Sequence, residues 1–194
     1  MDAGRLSEAD VAYVRGSFRP LGEVCRDHGD RLEDVHRMIR ERRLPAPSYV
    51  LPDGSEMVPP DYFALVDEAG GPPRLREEFE RRHRAAGGAD AELEEDWQGY
   101  IDGLYAVCLR SVSPETIVRK SELVRSIGAL LEAEAPDEGE LSRQVDELDT
   151  LEREFSPDYD RRRFPRPPTR DLLIAAAHER FPDIFRAEIA SHER

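Results

Sequence analysis

The stretch from Trp97 to Glu132, WQGYIDGLYAVCLRSVSPETIVRKSELVRSIGALLE, constrains the fold more than any other part of the chain. Trp97, Tyr100, Ile101, Leu104 and Cys108 recur at steps of three and four, which puts them on one helix face. Ser113-Pro114-Glu115 then reads as a helix start, with a hydroxyl cap, proline at the first helical position and an acid in the first turn. Ile117, Val124, Ile127 and Leu131 form a second stripe, widened by Val118, Leu123 and Leu130. The pattern predicts two antiparallel helices joined by a turn at 111–113.

A chain of 194 residues suits one larger or two small domains, each able to bury a core. Charged residues make up 36% and hydrophobic ones 39%, as in a helix-rich protein with a polar surface. The net charge of −14 argues against a general nucleic-acid binder, which needs cations to displace phosphate counterions, and against an anionic membrane surface. No apolar run approaches the ~20 residues of a membrane-spanning helix. The acidic start, MDAGRLSEADV, lacks the apolar segment of a signal peptide, so a cytoplasmic location is expected. Lys120 is the only lysine among 28 basic residues, a bias that suggests a GC-rich genome such as an actinomycete's.

In the first 70 residues the pattern predicts a helix at 6–17 capped by Ser7, a short helix at 21–28 stopped by Gly29, and a third at 31–43 stopped by Pro45 and Pro47. Two β-prone runs, 48–51 and 55–58, flank Pro52-Asp53-Gly54, a hairpin signal. The strings LGEVCRDHG, LEDVHRMIRERRLPAP and YVLPDGSEMVPPDYFALV, in that order, resemble a winged helix-turn-helix of the MerR-like and excisionase-like kind. The resemblance implies that the second string is a recognition helix, with Arg37, Arg40, Arg42 and Arg43 as DNA contacts, and the third a wing. Charge argues the other way. Residues 1–70 carry 9 arginines against 14 acids, and Glu33, Asp34 and Glu41 share the basic helix.

Ala69-Gly70-Gly71-Pro72-Pro73 reads as a linker, followed by a charged helix at 74–86 with Leu75, Phe79 and His83 inward. Asp90 is expected to cap the helix carrying Trp97. Leu141, Val145, Leu148, Leu151 and Phe155 predict a further amphipathic helix. Thr169 is expected to cap a last helix at 170–180, whose LLIAAA segment reads as buried on more than one side. The expected architecture is mainly α: a winged-helix-like module with one short β-hairpin at 1–70, then a helical bundle at 71–194.

Chemistry is sparse in the pattern. Cys25, His28 and His36 have ligand-like spacing, but a structural zinc site wants four ligands and no second pair lies near, so no metal or cofactor is expected. Cys108 falls on an apolar stripe and reads as a buried structural thiol. Arg110, Arg119 and Lys120 are candidates to hold an anion or contact a partner, or Arg119 and Lys120 could salt-bridge to acids of a neighbouring helix; the plainer reading of Arg119-Lys120 with Glu122 is a solvated ion pair.

The full chain also resembles an uncharacterised family of actinomycete natural-product biosynthesis proteins, on YVRGSFRPLGEVCRDHG, RLPAPSYVLPDGSEMVPPDYFALVDEAGG, LYAVCLRSVSPETIVRK and DELDTLEREF. That resemblance implies secondary metabolism and no particular reaction. Three readings therefore stand: a non-catalytic accessory or scaffold subunit that binds a biosynthetic enzyme, a winged-helix transcriptional regulator, and a small enzyme acting on an anionic intermediate.

Overall fold

The computed structural model describes residues 5–164 and 166–185. The first residues of the acidic start and the end of the span 71–194 lie outside them. Helix α1 (Glu8–Ser17) opens with a reciprocal cap: Ser7 Oγ accepts from the Asp10 N–H at 3.2 Å, and Asp10 Oδ2 accepts from the Ser7 N–H at 2.8 Å. Strand β1 (Arg19–Pro20), α2 (Leu21–His28) and α3 (Leu32–Arg40) follow. Gly29 ends α2 in the left-handed region at φ 90°. The third helix, expected to run to residue 43, stops sooner. Arg42 takes φ 56° and the Arg43 N–H returns to the Met38 carbonyl at 2.8 Å, a helix-ending turn more often given to glycine.

Strands β2 (Tyr49–Val50) and β3 (Glu56–Val58) form the expected hairpin, with the Leu51 N–H donating to Ser55 O at 2.9 Å. The sheet is larger than expected, because β1 pairs with β3 and gives the antiparallel order β1-β3-β2. Arg19 stands opposite Val58, and Tyr49 opposite Met57. A two-residue edge strand ending in proline has no alternation for a sequence pattern to register. The protein is thus mainly helical with a small three-stranded sheet.

Helices α4 (Ala64–Glu68), α5 (Leu75–Ala85), α6 (Leu93–Ile101) and α7 (Tyr105–Cys108) come next. The expected linker at 69–73 is a tight turn, with Ala69 buried and the Gly71 N–H bonded to Val66 O at 2.8 Å. One cluster runs across it, from Leu21, Val58 and Phe63 to Leu75, Phe79, Trp97 and Ile117. The single helix expected over 97–108 is two pieces. Gly103 lies between them at φ 68°, and a β-carbon there would stand 2.3 Å from the Ala46 carbonyl oxygen, so the break needs glycine twice over. Asp90, expected to cap α6, instead accepts from Arg84 Nε at 2.9 Å.

Helix α8 (Pro114–Glu132) starts at Ser113 as expected. Ser113 Oγ accepts from the Thr116 N–H at 3.2 Å, and Thr116 Oγ1 from the Ser113 N–H at 2.9 Å. Helix α9 (Glu138–Leu151) lies against it. Phe155 falls past the end of α9 and packs with Val14, Phe18 and Tyr49 instead. Helix α10 (Tyr159–Arg163), a π-helical turn (Arg170–Ala175), α11 (Ala176–Arg180) and a helical stretch at 182–185 complete the described chain. The LLIAAA segment buries one face only: Ile174 and Ala177 pack on Leu123, Ile127 and Leu148, while Leu172 is 48% exposed.

The α10 region returns to α1. Asp10 Oδ1 accepts from the Asp158 and Tyr159 N–H groups at 2.9 and 3.0 Å. Tyr49 donates to the buried Asp160 Oδ2 at 2.7 Å. Burial works against the Asp10 charge, but the N–H groups of Asp158, Tyr159 and Ser7 outweigh it and hold the carboxyl down to about 2. A depressed carboxyl stabilises the fold above its unfolded value and ceases to do so as pH falls through its folded value. Asp10→Ala is expected to cost about 2 kcal/mol in urea melts at pH 7. The gap to wild type should shrink between about pH 4 and pH 2, where the wild-type carboxyl becomes protonated.

Candidate functional site

The arginines of α3 and its exit are largely held within the chain. Arg37 pairs with Asp34 at 2.9 Å and Arg43 with Glu41 at 3.3 Å. Arg42, turned by its left-handed backbone, reaches α6 and donates to Asp102 Oδ1 at 3.0 Å and Gln98 Oε1 at 2.5 Å. His36 contacts Glu56 of β3 at 2.5 Å. Arg40 is exposed and makes no ion pair within the described residues. Of the residues with metal-like spacing, Cys25 points into the core, and His28 turns out to Asp30 and Asp67 at 2.7 and 2.8 Å, stacked on Phe63.

Arg110, Arg119 and Lys120 do not form one cluster. The Arg110 side chain is exposed. Arg119 grips Glu147 with two bonds of 2.6 and 2.7 Å and gives a third, of 3.0 Å, to Glu122, which occupies its donor fork. Lys120 faces the other way. Its ammonium lies 2.8 Å from Glu152 Oε1, with the two side chains 15% and 1% exposed. The solvated ion pair expected for this residue is therefore a buried one. Burial opposes the charge on Lys120, but the Cys108 sulfur and the Glu152 carboxylate lift its pKa above the usual lysine value.

Glu152 is placed by the chain crossing just after α9. The Arg110 N–H donates to Leu151 O at 3.1 Å and the Arg153 N–H to Cys108 O at 2.9 Å, so residues 109 and 152 pair as antiparallel neighbours. Arg153 sends its guanidinium to the carbonyls of Leu109, Arg110 and Ser17 at 3.0, 3.0 and 3.1 Å and lies over the Phe18 ring. The Glu152 carboxylate also accepts from the Thr169 hydroxyl, which does not cap the following helix.

Next to this crossing, reached through Cys108, Lys120 and Thr169, lies a cleft of about 450 Å³. Its walls include Leu104, Val107, Phe155, Phe164 and Pro167; Cys108 and Lys120 lie at its floor, and Arg166, Asp102 and Glu95 also line it. Cys108 is half-buried, its thiol donating to Tyr105 O at 3.4 Å. Burial pushes that thiol up, against the pull of Lys120. Tyr105, also lining the cleft, donates to Asp96, whose second oxygen lies 2.8 Å from Nε2 of the fully buried His83. Tyr105 packs so close to Gly99 that a β-carbon there would lie 2.7 Å from the ring. The break at Gly103 had hidden the cleft from the sequence, because a single helix over 97–108 would have kept Cys108 in the apolar stripe. The signal present was the pairing of the only lysine with the acid run DELDTLERE.

A mainly helical protein with a small sheet and an apolar cleft over a buried ion pair is the class that fold and site define. The chain belongs to a family of unknown function (DUF6058), whose profile matches residues 74–182. Cys108, Lys120, Glu152 and the cleft walls all fall inside that span, and the sheet and α3 outside it. No curated protein and no solved structure matches the chain. Among the described residues no helix is long and apolar enough to cross a membrane, and no three His, Cys, Asp or Glu side chains converge as metal ligands would.

Two variants test the ion pair. Lys120→Ala leaves the buried Glu152 carboxylate with the Thr169 hydroxyl but no countercharge and is expected to lower unfolding free energy by about 3–5 kcal/mol. Lys120→Met with Glu152→Leu removes both charges and should recover most of that loss in the same denaturant titration.

Proposed function

We propose that the protein is an accessory or scaffold subunit that binds a biosynthetic enzyme in secondary metabolism, in the cytoplasm. The observation that carries the reading is the state of the α3 arginines. Arg37, Arg42 and Arg43 are already paired with Asp34, Asp102 and Glu41 of the same chain. A DNA-reading helix needs its guanidinium groups free for base edges and phosphates. The element order α1-β1-α2-α3-β2-β3 supports the winged-helix comparison. The acidic balance supports its use against protein rather than DNA, since each acid on α3 would face phosphate with the wrong sign. The strings PSYVLPDGSEMVPPDYF and CLRSVSPETIVRK support placing it with the actinomycete natural-product proteins they resemble.

The test sets two partners against each other. Tagged protein purified from its source is expected to carry with it an enzyme encoded beside it, and to leave the migration of its own promoter DNA unchanged at moderate salt. A promoter shift that disappears in Arg40→Ala, with no enzyme recovered, would overturn the accessory reading in favour of the regulator.

A further inference from the structure

The cleft holds a group that neither the fold nor the partner reading uses. Cys108, at the end of α7, and Lys120 of α8 line the cleft together, and the two influence each other's charge. Glu152, after α9, and Thr169 lock the Lys120 ammonium in place. Cys108, Lys120 and Thr169, from three parts of the chain, thus line one cleft together with apolar side chains and with Glu95, Gln98, Asp102 and Arg166, a concave mixture of apolar wall and a few polar groups that suits a small molecule. The other cysteine, Cys25, is 1% exposed in the core and meets no such group.

We infer that this cleft binds an apolar acyl compound and that Cys108 is the nucleophile that takes up its acyl group. The walls fix the apolar part of the ligand: Leu104, Phe155, Phe164 and Pro167 offer carbon to an alkyl or aryl chain. The floor fixes the reacting part. Glu152 already neutralises Lys120, and Arg166 shares the lining with Glu95 and Asp102, so the cleft has no net positive charge for a phosphate. An ammonium with donors beyond the one given to Glu152 suits a carbonyl oxygen, whose negative charge grows only as sulfur attacks. Burial raises the Cys108 thiol above its usual value, and the same ammonium works against that rise. With an acyl thioester the exchange balances without oxidant or reductant. The Cys108 sulfur–carbon bond forms, the carbon–sulfur bond to the leaving thiol breaks, and the proton lost by Cys108 ends on the departing sulfur. A single stoichiometric acylation requires no turnover and no partner, so it stands or falls separately from the accessory reading.

The experiment uses the full chain and two thioesters of N-acetylcysteamine, octanoyl and acetyl, read by intact mass and peptide mapping. Expected is one octanoyl group on Cys108, added at least tenfold faster than acetyl, absent in Cys108→Ala and retained in Cys25→Ala. Phe164→Ala should narrow the octanoyl preference. The folded double variant Lys120→Met with Glu152→Leu should slow acylation at least tenfold while iodoacetamide still labels Cys108, which separates activation from access. Failure of the folded wild type to acquire the octanoyl group would overturn the inference. So would equal rates for the two thioesters, or a double variant as fast as wild type, since either would reduce Cys108 to an accessible thiol.

Discussion

Two oppositely charged residues, adjacent in the chain and both nearly out of water, hold the centre of this molecule. Glu152 is 1% and Arg153 9% exposed. In the extended backbone after α9, successive side chains point to opposite sides. Glu152 therefore goes to Lys120 and Thr169, while Arg153 goes to Leu109, Arg110 and Ser17. Desolvating either charge alone costs several kcal/mol, so neither can be inside without its partners. That requirement ties the end of α1, the α7–α8 connection, the start of α8 and the residue 169 segment to one place. A shift of α9 by one residue would exchange which charge meets which partner, besides turning Leu141, Val145 and Leu148 away from the core.

The cleft follows from the same crossing. Pairing residues 109 and 152 puts Cys108 one residue from the crossing and leaves its sulfur against the ammonium that neutralises Glu152. Phe164 and Thr169 are both held at the cleft, because Thr169 bonds Glu152 and Phe164 packs with Phe155. The thiol's setting is thus a product of charge burial in the fold, and the acyl-acceptor proposal adds a use for it.

Features governed by short-range rules were legible in the sequence. The caps at Ser7 and Ser113, the Gly29 stop, the Asp53-Gly54 hairpin and the α8 and α9 stripes each follow from a few neighbouring residues. What stayed hidden needs a distant partner. Gly103 breaks the helix because Ala46 O lies against it, 57 positions away in sequence, and an isolated glycine in a helical pattern carries no such information. Arg42 takes a conformation that its residue type disfavours, and α3 is therefore shorter than its pattern. Strand β1 exists only as a partner of β3. Of the candidate site, Lys120 was found for its rarity. In the pattern Cys108 reads as a core residue and Thr169 as a cap, and nothing local marks Glu152, because their meeting spans four elements.

The two surfaces of interest are not independent. Arg42, at the exit of α3, bonds Gln98 and Asp102, and both of those residues line the cleft. A partner that draws Arg42 away from α6 would release an amide oxygen and a carboxylate at the cleft, and a ligand that engages Asp102 would loosen Arg42. The magnitude of such coupling is bounded by what the contact contributes. Arg42 and Asp102 are 52% and 44% exposed, and ion pairs in that setting contribute about 0–1 kcal/mol. Communication through this contact can therefore change affinity on either side by no more than about fivefold, and by the same factor in both directions. Larger effects between the α3 face and the cleft would have to pass through the shared core around Phe79 and Trp97, where a movement disturbs many contacts at once.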